Sequence, residues 1–150
     1  MRSAIGSKQN VKIFVLYLME NIDYPLDFVT INDIVMQTDL VMYLDFAESL
    51  HEMLDGGLLC QIEQEGETLY EVTEKGRCVA RELKSDLLPS ILDQSLARAL
   101  RYLNFKKRGI VPKCTVEKTE DDRYMVSCSF TEKKVCIFSQ TRFFGLFSVF

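Results

Sequence analysis

Two hydrophobic periods run through this chain, and they change over at Gly56-Gly57. From Val11 to Leu54 apolar residues recur every three or four positions, the repeat of a helix with one buried face. From Leu58 to Thr73 they alternate, as they do in half-buried strands. A chain that changes period in this way reads as α+β.

The helical part divides into three. Residues 8 to 22 carry Val11, Phe14, Val15, Leu18, Met19 and Ile22 on one face. Ile13, Leu16 and Tyr17 fill other faces, so this helix belongs at the centre of a core. Asp23-Tyr24-Pro25 ends it, because the residue before proline avoids the helical region. A short second helix starts with Thr30 as its expected N-cap and Asp33 in its first turn. Ile31, Ile34 and Val35 face inward, and the helix stops near Gln37-Thr38-Asp39. The third runs from Val41 to Asp55, with Tyr43, Phe46, Ala47, Leu50 and Leu54 as the expected buried stripe. Gly56-Gly57 closes it.

Two strands, Leu58 to Glu65 and Thr68 to Thr73, form a hairpin around Glu65-Gly66-Glu67. Thr73 caps a fourth helix whose inner face is Val79, Ala80 and Leu83. A fifth begins at Pro89, a favoured first helical residue, and runs to about Lys107. The last third alternates again. Lys113 to Thr119, Arg123 to Phe130 and Lys134 to Ser139 predict an antiparallel meander, with Tyr124, Val126, Cys128 and Phe130 on the face that the fifth helix would cover.

Helix, short helix, helix, hairpin, helix is the order of a winged helix-turn-helix. The expected architecture is therefore an α+β fold, with a winged helix-turn-helix followed by a helix packed on a three-stranded antiparallel sheet. Charge suggests where to divide it. Residues 1 to 86 contain seven Lys/Arg and 16 Asp/Glu, a net of −9. Residues 87 to 150 contain 11 and six, a net of +5. Domains are accordingly expected over 1–86, the winged helix, and 87–150, a module for dimerisation or sensing.

The stretches KIFVLYLMENIDYPLDFVTINDIVM, YLDFAESLHEMLDGGLL and LYEVTEKGR resemble winged-helix proteins related to the PadR and MarR transcriptional regulators. The chain is most similar to a bacterial group, the domain-of-unknown-function 4364 family. The resemblance covers the first 86 residues well and extends more loosely through the rest. It implies a transcription-regulator fold with no established operator or effector. Two features depart from the family pattern. The outer face of the third helix is acidic where relatives carry neutral polar residues, and the chain has no Trp and ends FFGLFSVF.

A winged helix reads DNA with its third helix and wing. The candidate recognition face is Tyr43, Asp45, Glu48, Ser49 and Glu52, and the candidate wing tip is Gln64, Glu65, Gly66 and Glu67. Neither contains Lys or Arg, whereas neutralising phosphate supplies most non-specific affinity. Candidate phosphate contacts lie elsewhere, at Lys8 and Lys12 in the first helix and at Lys106, Lys107 and Arg108 closing the fifth. Duplex DNA is thus an expected but weakly held partner. The alternative is an adaptor that has lost DNA and docks a basic protein through its acidic face. His51, among those carboxylates, reads as structural or exposed.

The fifth helix carries Leu88, Leu92, Leu96, Leu100 and Leu103, and the tail adds Phe143, Phe144, Phe147 and Phe150. One small sheet covers only part of that apolar surface. A homodimer through Leu92, Leu96, Leu100, Leu103, Phe143 and Phe147 is therefore expected.

Other classes are disfavoured. Hydrophobic residues make up 47% and charged residues 27%, an ordinary globular balance. No apolar run of about 18 residues would span a membrane. The start, MRSAIGSKQN, lacks the apolar core of a secretory leader, so a cytoplasmic protein is expected. The five cysteines form no CxxC pair and the chain has one histidine, which argues against zinc. The cysteines read instead as small buried thiols in a reducing compartment. No phosphate loop or nucleophile motif is present, so neither catalysis nor a cofactor is expected.

Overall fold

A computed structural model describes residues 3–132 and 135–144, part of the last strand through its backbone alone. The elements in order are α1 (Lys8–Ile22), β1 (Leu26–Asp27), α2 (Phe28–Met36), α3 (Tyr43–Asp55), β2 (Leu59–Gln64), β3 (Glu67–Val72), α4 (Glu74–Leu83), a 3-10 turn (Lys84–Asp86), α5 (Pro89–Arg108), β4 (Ile110–Lys118), β5 (Tyr124–Glu132) and β6 (Val135–Phe144). The described residues thus make an α+β fold of five α-helices and two three-stranded antiparallel sheets, ordered β1-β3-β2 and β4-β5-β6. None of these helices is long and apolar enough to cross a membrane.

Two compact units are present, residues 1–100 and 101–150. Charge changes sign at 86/87, whereas the compact units divide inside α5. The intervening residues carry Asp93 and Arg98, which cancel, so charge is silent over this stretch.

In the first unit α1 is the central helix. Val11, Ile13, Phe14, Val15, Leu16, Leu18, Met19 and Ile22 are all buried, as its apolar surface on several faces requires. Ser7 caps its start by accepting from the Asn10 amide. Asp23 ends it in the left-handed region at φ 61°, with its amide on the Met19 carbonyl. The second helix starts earlier than Thr30, which corrects the expected cap. Asp27 is the N-cap residue and its side chain makes no capping bond. Thr30 lies inside the first turn, buried, with its hydroxyl donating to Asp27. The period-two signal for β1 is only two residues long. It exists because Leu26 and Asp27 pair with Tyr70 and Leu69 on β3.

The sequence Thr73-Glu74-Lys75-Gly76-Arg77 ties four elements together. The Thr73 hydroxyl accepts from the Gly76 amide at 3.1 Å and donates to the Gly57 carbonyl at 2.6 Å. The Thr73 amide reaches the Leu58 carbonyl at 3.1 Å. Lys75 Nζ donates to the Gly56 carbonyl, 2.9 Å away, at the open end of α3. Arg77 spans to Asp23 at the end of α1 at 2.9 Å. Gly76 has ordinary helical geometry, but the Leu58 backbone crosses so close that a Cβ there would overlap its carbonyl. The glycine serves close approach rather than backbone freedom.

In the second unit β4 and β5 pair in one register from Ile110↔Glu132 to Lys118↔Tyr124. Phe105, near the end of α5, stacks on Phe130 with centroids 6.2 Å apart. Arg108 holds Glu132 through Nη2 at 3.0 Å.

The cysteines are a correction. Cys114 and Cys128 face each other across β4 and β5 and are joined as a disulfide. Cys60 and Cys78 are free thiols, and these two and Cys136 are exposed, not buried. Local geometry gives the reason for two of them. Cys60 follows the buried Leu59, so alternation turns it outward. Cys78 sits two residues from both Gly76 and Ala80, which are buried, and so lies on the opposite side of α4.

Candidate nucleic-acid interface

The rotation of α3 decides what it can present. Phe46, Ser49, Leu50 and Met53 face the core, and Phe46 packs on Phe28 with centroids 5.8 Å apart. Spacings of three, one and three define that stripe. Three of the expected positions are therefore corrected. Ser49 belongs to the buried stripe, fully enclosed, and its hydroxyl has no partner among the described residues. Tyr43, expected in the core as well as on the recognition face, is 52% exposed. Met53 takes the core place expected of Leu54, which is half-buried. Two apolar stripes overlap on this helix, and only packing against α1 and α2 chooses between them.

The outermost line of α3 is Leu44, Glu48, His51 and Asp55, all exposed. Leu44 and Asp55 were not expected there, and His51 takes the exposed one of its two readings. Taking Phe46, Leu50 and Met53 as the inward stripe places them outside by simple 100° steps. The His51 imidazole lies 3.4 Å from Asp55.

Asp45, Glu48 and Glu52 form the flank of α3 nearest the chain start and the first turns of α1. Asp45 accepts from the Ser3 hydroxyl, and Ser3 in turn accepts from the Met42 amide at 3.0 Å. Lys8 Nζ bridges Glu48 at 2.8 Å and Glu52 at 3.1 Å, and Lys12 also pairs with Glu52. Hydrogen bonds from Lys12 and then Lys8 hold the Glu52 carboxyl below the usual glutamate range. The same contacts, led by Glu48, raise the Lys8 ammonium above the usual lysine range. The structure thus brings together candidate phosphate contacts and candidate recognition residues, but as partners of each other.

The hairpin tip is a two-residue turn. Glu65 and Gly66 both take positive φ, 53° and 81°, and Gln64 pairs with Glu67 across them. That geometry matches the twist of a hairpin and favours glycine at its second position. Gln64, Glu65, Gly66 and Glu67 are all exposed.

The remaining expected residues scatter. Of the basic trio closing α5, Arg108 is taken by Glu132, while Lys106 and Lys107 are exposed. Of the apolar set, Leu92 and Leu103 are buried within the chain, Leu96 is half-buried, and Leu100 and Phe143 are exposed. Phe147, Phe150 and the side chain of Phe144 lie outside the described residues.

Residues 11–140 match the family described as Domain of unknown function (DUF4364), and the chain belongs to that family. No curated protein and no solved structure matches it.

Proposed function

We propose that residues 8–83 are a winged helix-turn-helix and that the chain is a DNA-binding transcriptional regulator, distantly similar to the PadR and MarR regulators. The observation that carries this reading is the topology. Strand β1, between α1 and α2, adds to the β2–β3 hairpin beside β3, and α3 stands with one full face in solvent. In a winged helix those elements are the recognition helix and the wing.

Charge sets the strength. The outer line of α3 has no Lys or Arg, the wing tip is acidic, and Lys8 and Lys12 are engaged by Glu48 and Glu52. These pairs are open to solvent, so salt screens them and a phosphate can compete for the lysines. Binding to random duplex is therefore weak and shallow in its salt dependence. A homodimer would present two such helices to a two-fold site. Leu88, Leu100 and Phe143 are among the exposed apolar residues, whereas Leu92 and Leu103 are already buried. The protein acts in the cytoplasm on this reading. Fluorescence anisotropy on random duplex at low salt is the test. Binding that weakens with salt supports it; no binding by the wild type or by the Glu48→Gln/Glu52→Gln chain overturns it.

A second reading rests on the same acidic surface. The wing tip and the outer line of α3 would dock a basic protein segment instead of a duplex. A lysine-rich peptide that binds where DNA does not would favour it.

A further inference from the structure

A cleft of about 430 Å³ separates the C-terminal end of α1 from α4, with Glu20 and Asp23 on one wall and Arg77, Arg81 and Lys84 on the other. A second chamber of about 320 Å³ adjoins it, sharing Tyr17 and Lys84 and continuing over Pro89, Leu92 and Asp93. Each is within the size range of small-molecule sites. The first chamber is polar, and Leu92 and Pro89 give the second an apolar floor.

The cations are not equivalent. Arg77, Arg81 and Lys84 are spaced four and three residues apart, which puts them along one helical face. The Arg77 side chain is only 20% exposed and is held by Asp23 at 2.9 Å. Arg81 reaches Glu20 at 2.6 Å through Nε alone, which leaves the outer edge of its guanidinium facing solvent. Lys84 makes no ion pair among the described residues. Between the chambers stands Tyr17. Burial, Asp93 and Glu20 push its phenol above the usual tyrosine range, so it remains a hydrogen-bond donor at neutral pH.

Unsatisfied donors therefore converge where the polar chamber meets the apolar one. We propose that this cleft binds a small organic monoanion, a carboxylate on an apolar body. The carboxylate sits between Lys84 Nζ and the outer edge of Arg81, and the body lies over Tyr17, Pro89 and Leu92. The carboxylates of Glu20, Asp23 and Asp93 balance the three cations, so a dianion meets repulsion that a monoanion largely avoids. A cationic head would have to displace Arg81 from Glu20 or sit beside Lys84. The site lies wholly within the first unit and does not depend on whether α3 touches DNA.

The probe is 3-phenylpropanoate, titrated into the full chain and followed by amide chemical shifts. Saturable shifts at Tyr17 and across Lys84 to Asp93 are expected. Lys84→Gln, which removes the charge from an exposed side chain, should weaken binding about tenfold or more with an unchanged circular dichroism spectrum. Arg81→Gln should weaken it as well. 3-Phenylpropylamine should not bind, and inorganic phosphate should bind less well than the carboxylate. No saturable shift at millimolar ligand, binding indifferent to Lys84→Gln, or equal binding of the amine would each overturn the proposal.

Discussion

Replacing Gly76 with alanine should destabilise the first unit, although a glycine in a helix interior is normally a weakness. Alanine at an exposed helical position gains about 1 kcal/mol over glycine. At Gly76 the new Cβ would overlap the Leu58 carbonyl oxygen, lie 2.9 Å from Val72 Cγ1 and lie 3.1 Å from the Leu58 carbonyl carbon. Two of those three atoms are backbone, and backbone cannot swing aside as a side chain can. The Leu58 carbonyl also accepts from the Thr73 amide at 3.1 Å, with the Thr73 hydroxyl at the same distance. Moving it strains the cap of α4 and the start of β2 together. Overpacking of this kind costs about 1–3 kcal/mol, and losing one buried hydrogen bond adds about 1 kcal/mol. After the alanine gain, a net loss of about 2 kcal/mol remains. With a urea slope near 2 kcal/mol per molar, the midpoint falls by about 1 M. Urea unfolding read by helical circular dichroism measures it, with Glu82→Ala on the exposed side of α4 as the control. A Gly76→Ala chain as stable as the wild type, or more stable, would refute the claim that close backbone approach selects the glycine.

Glu48→Gln with Glu52→Gln should release Lys8 and Lys12 and steepen the logarithmic salt dependence of duplex binding by about two; an unchanged slope in anisotropy titrations would mean that these lysines never meet phosphate. The Glu52 carboxyl should titrate by NMR below the usual glutamate range. Its pairing is complete above the ordinary value and is lost as pH falls through the lowered one, and Lys8→Met with Lys12→Met should return the midpoint to normal. Thiol titration of the unfolded, unreduced chain should count three cysteines, rising to five after reduction; five before reduction would exclude the Cys114–Cys128 bond. Light scattering at micromolar concentration should report a dimer that Leu100→Glu weakens; a monomeric wild type would end that reading.

Much of the local structure was legible from residues alone. Apolar periodicity placed α1, and the glycine stop, the alternation and the Thr73 cap placed α3, the hairpin and α4 to within a residue or two. Periodicity and caps are properties of neighbours in sequence, so they survive without a fold around them. The acidity of the third helix and wing was equally visible. What neighbours in sequence could not decide was rotation and partnership. Whether Ser49 faces the core or solvent depends on which of two overlapping stripes meets α1 and Phe28. That lysines 8 and 12 meet carboxylates 48 and 52 requires α1 and α3 to lie side by side, 40 or more residues apart in sequence. Strand β1 has two residues and no period of its own; it exists because β3 offers it hydrogen bonds. The disulfide follows from the register of β4 on β5, and the cleft from the distance between the end of α1 and α4. Sequence determined which segments would be helix or strand and which charges they carry. Tertiary packing decided which face each shows, because a side chain's environment is set by the elements that come to lie against it.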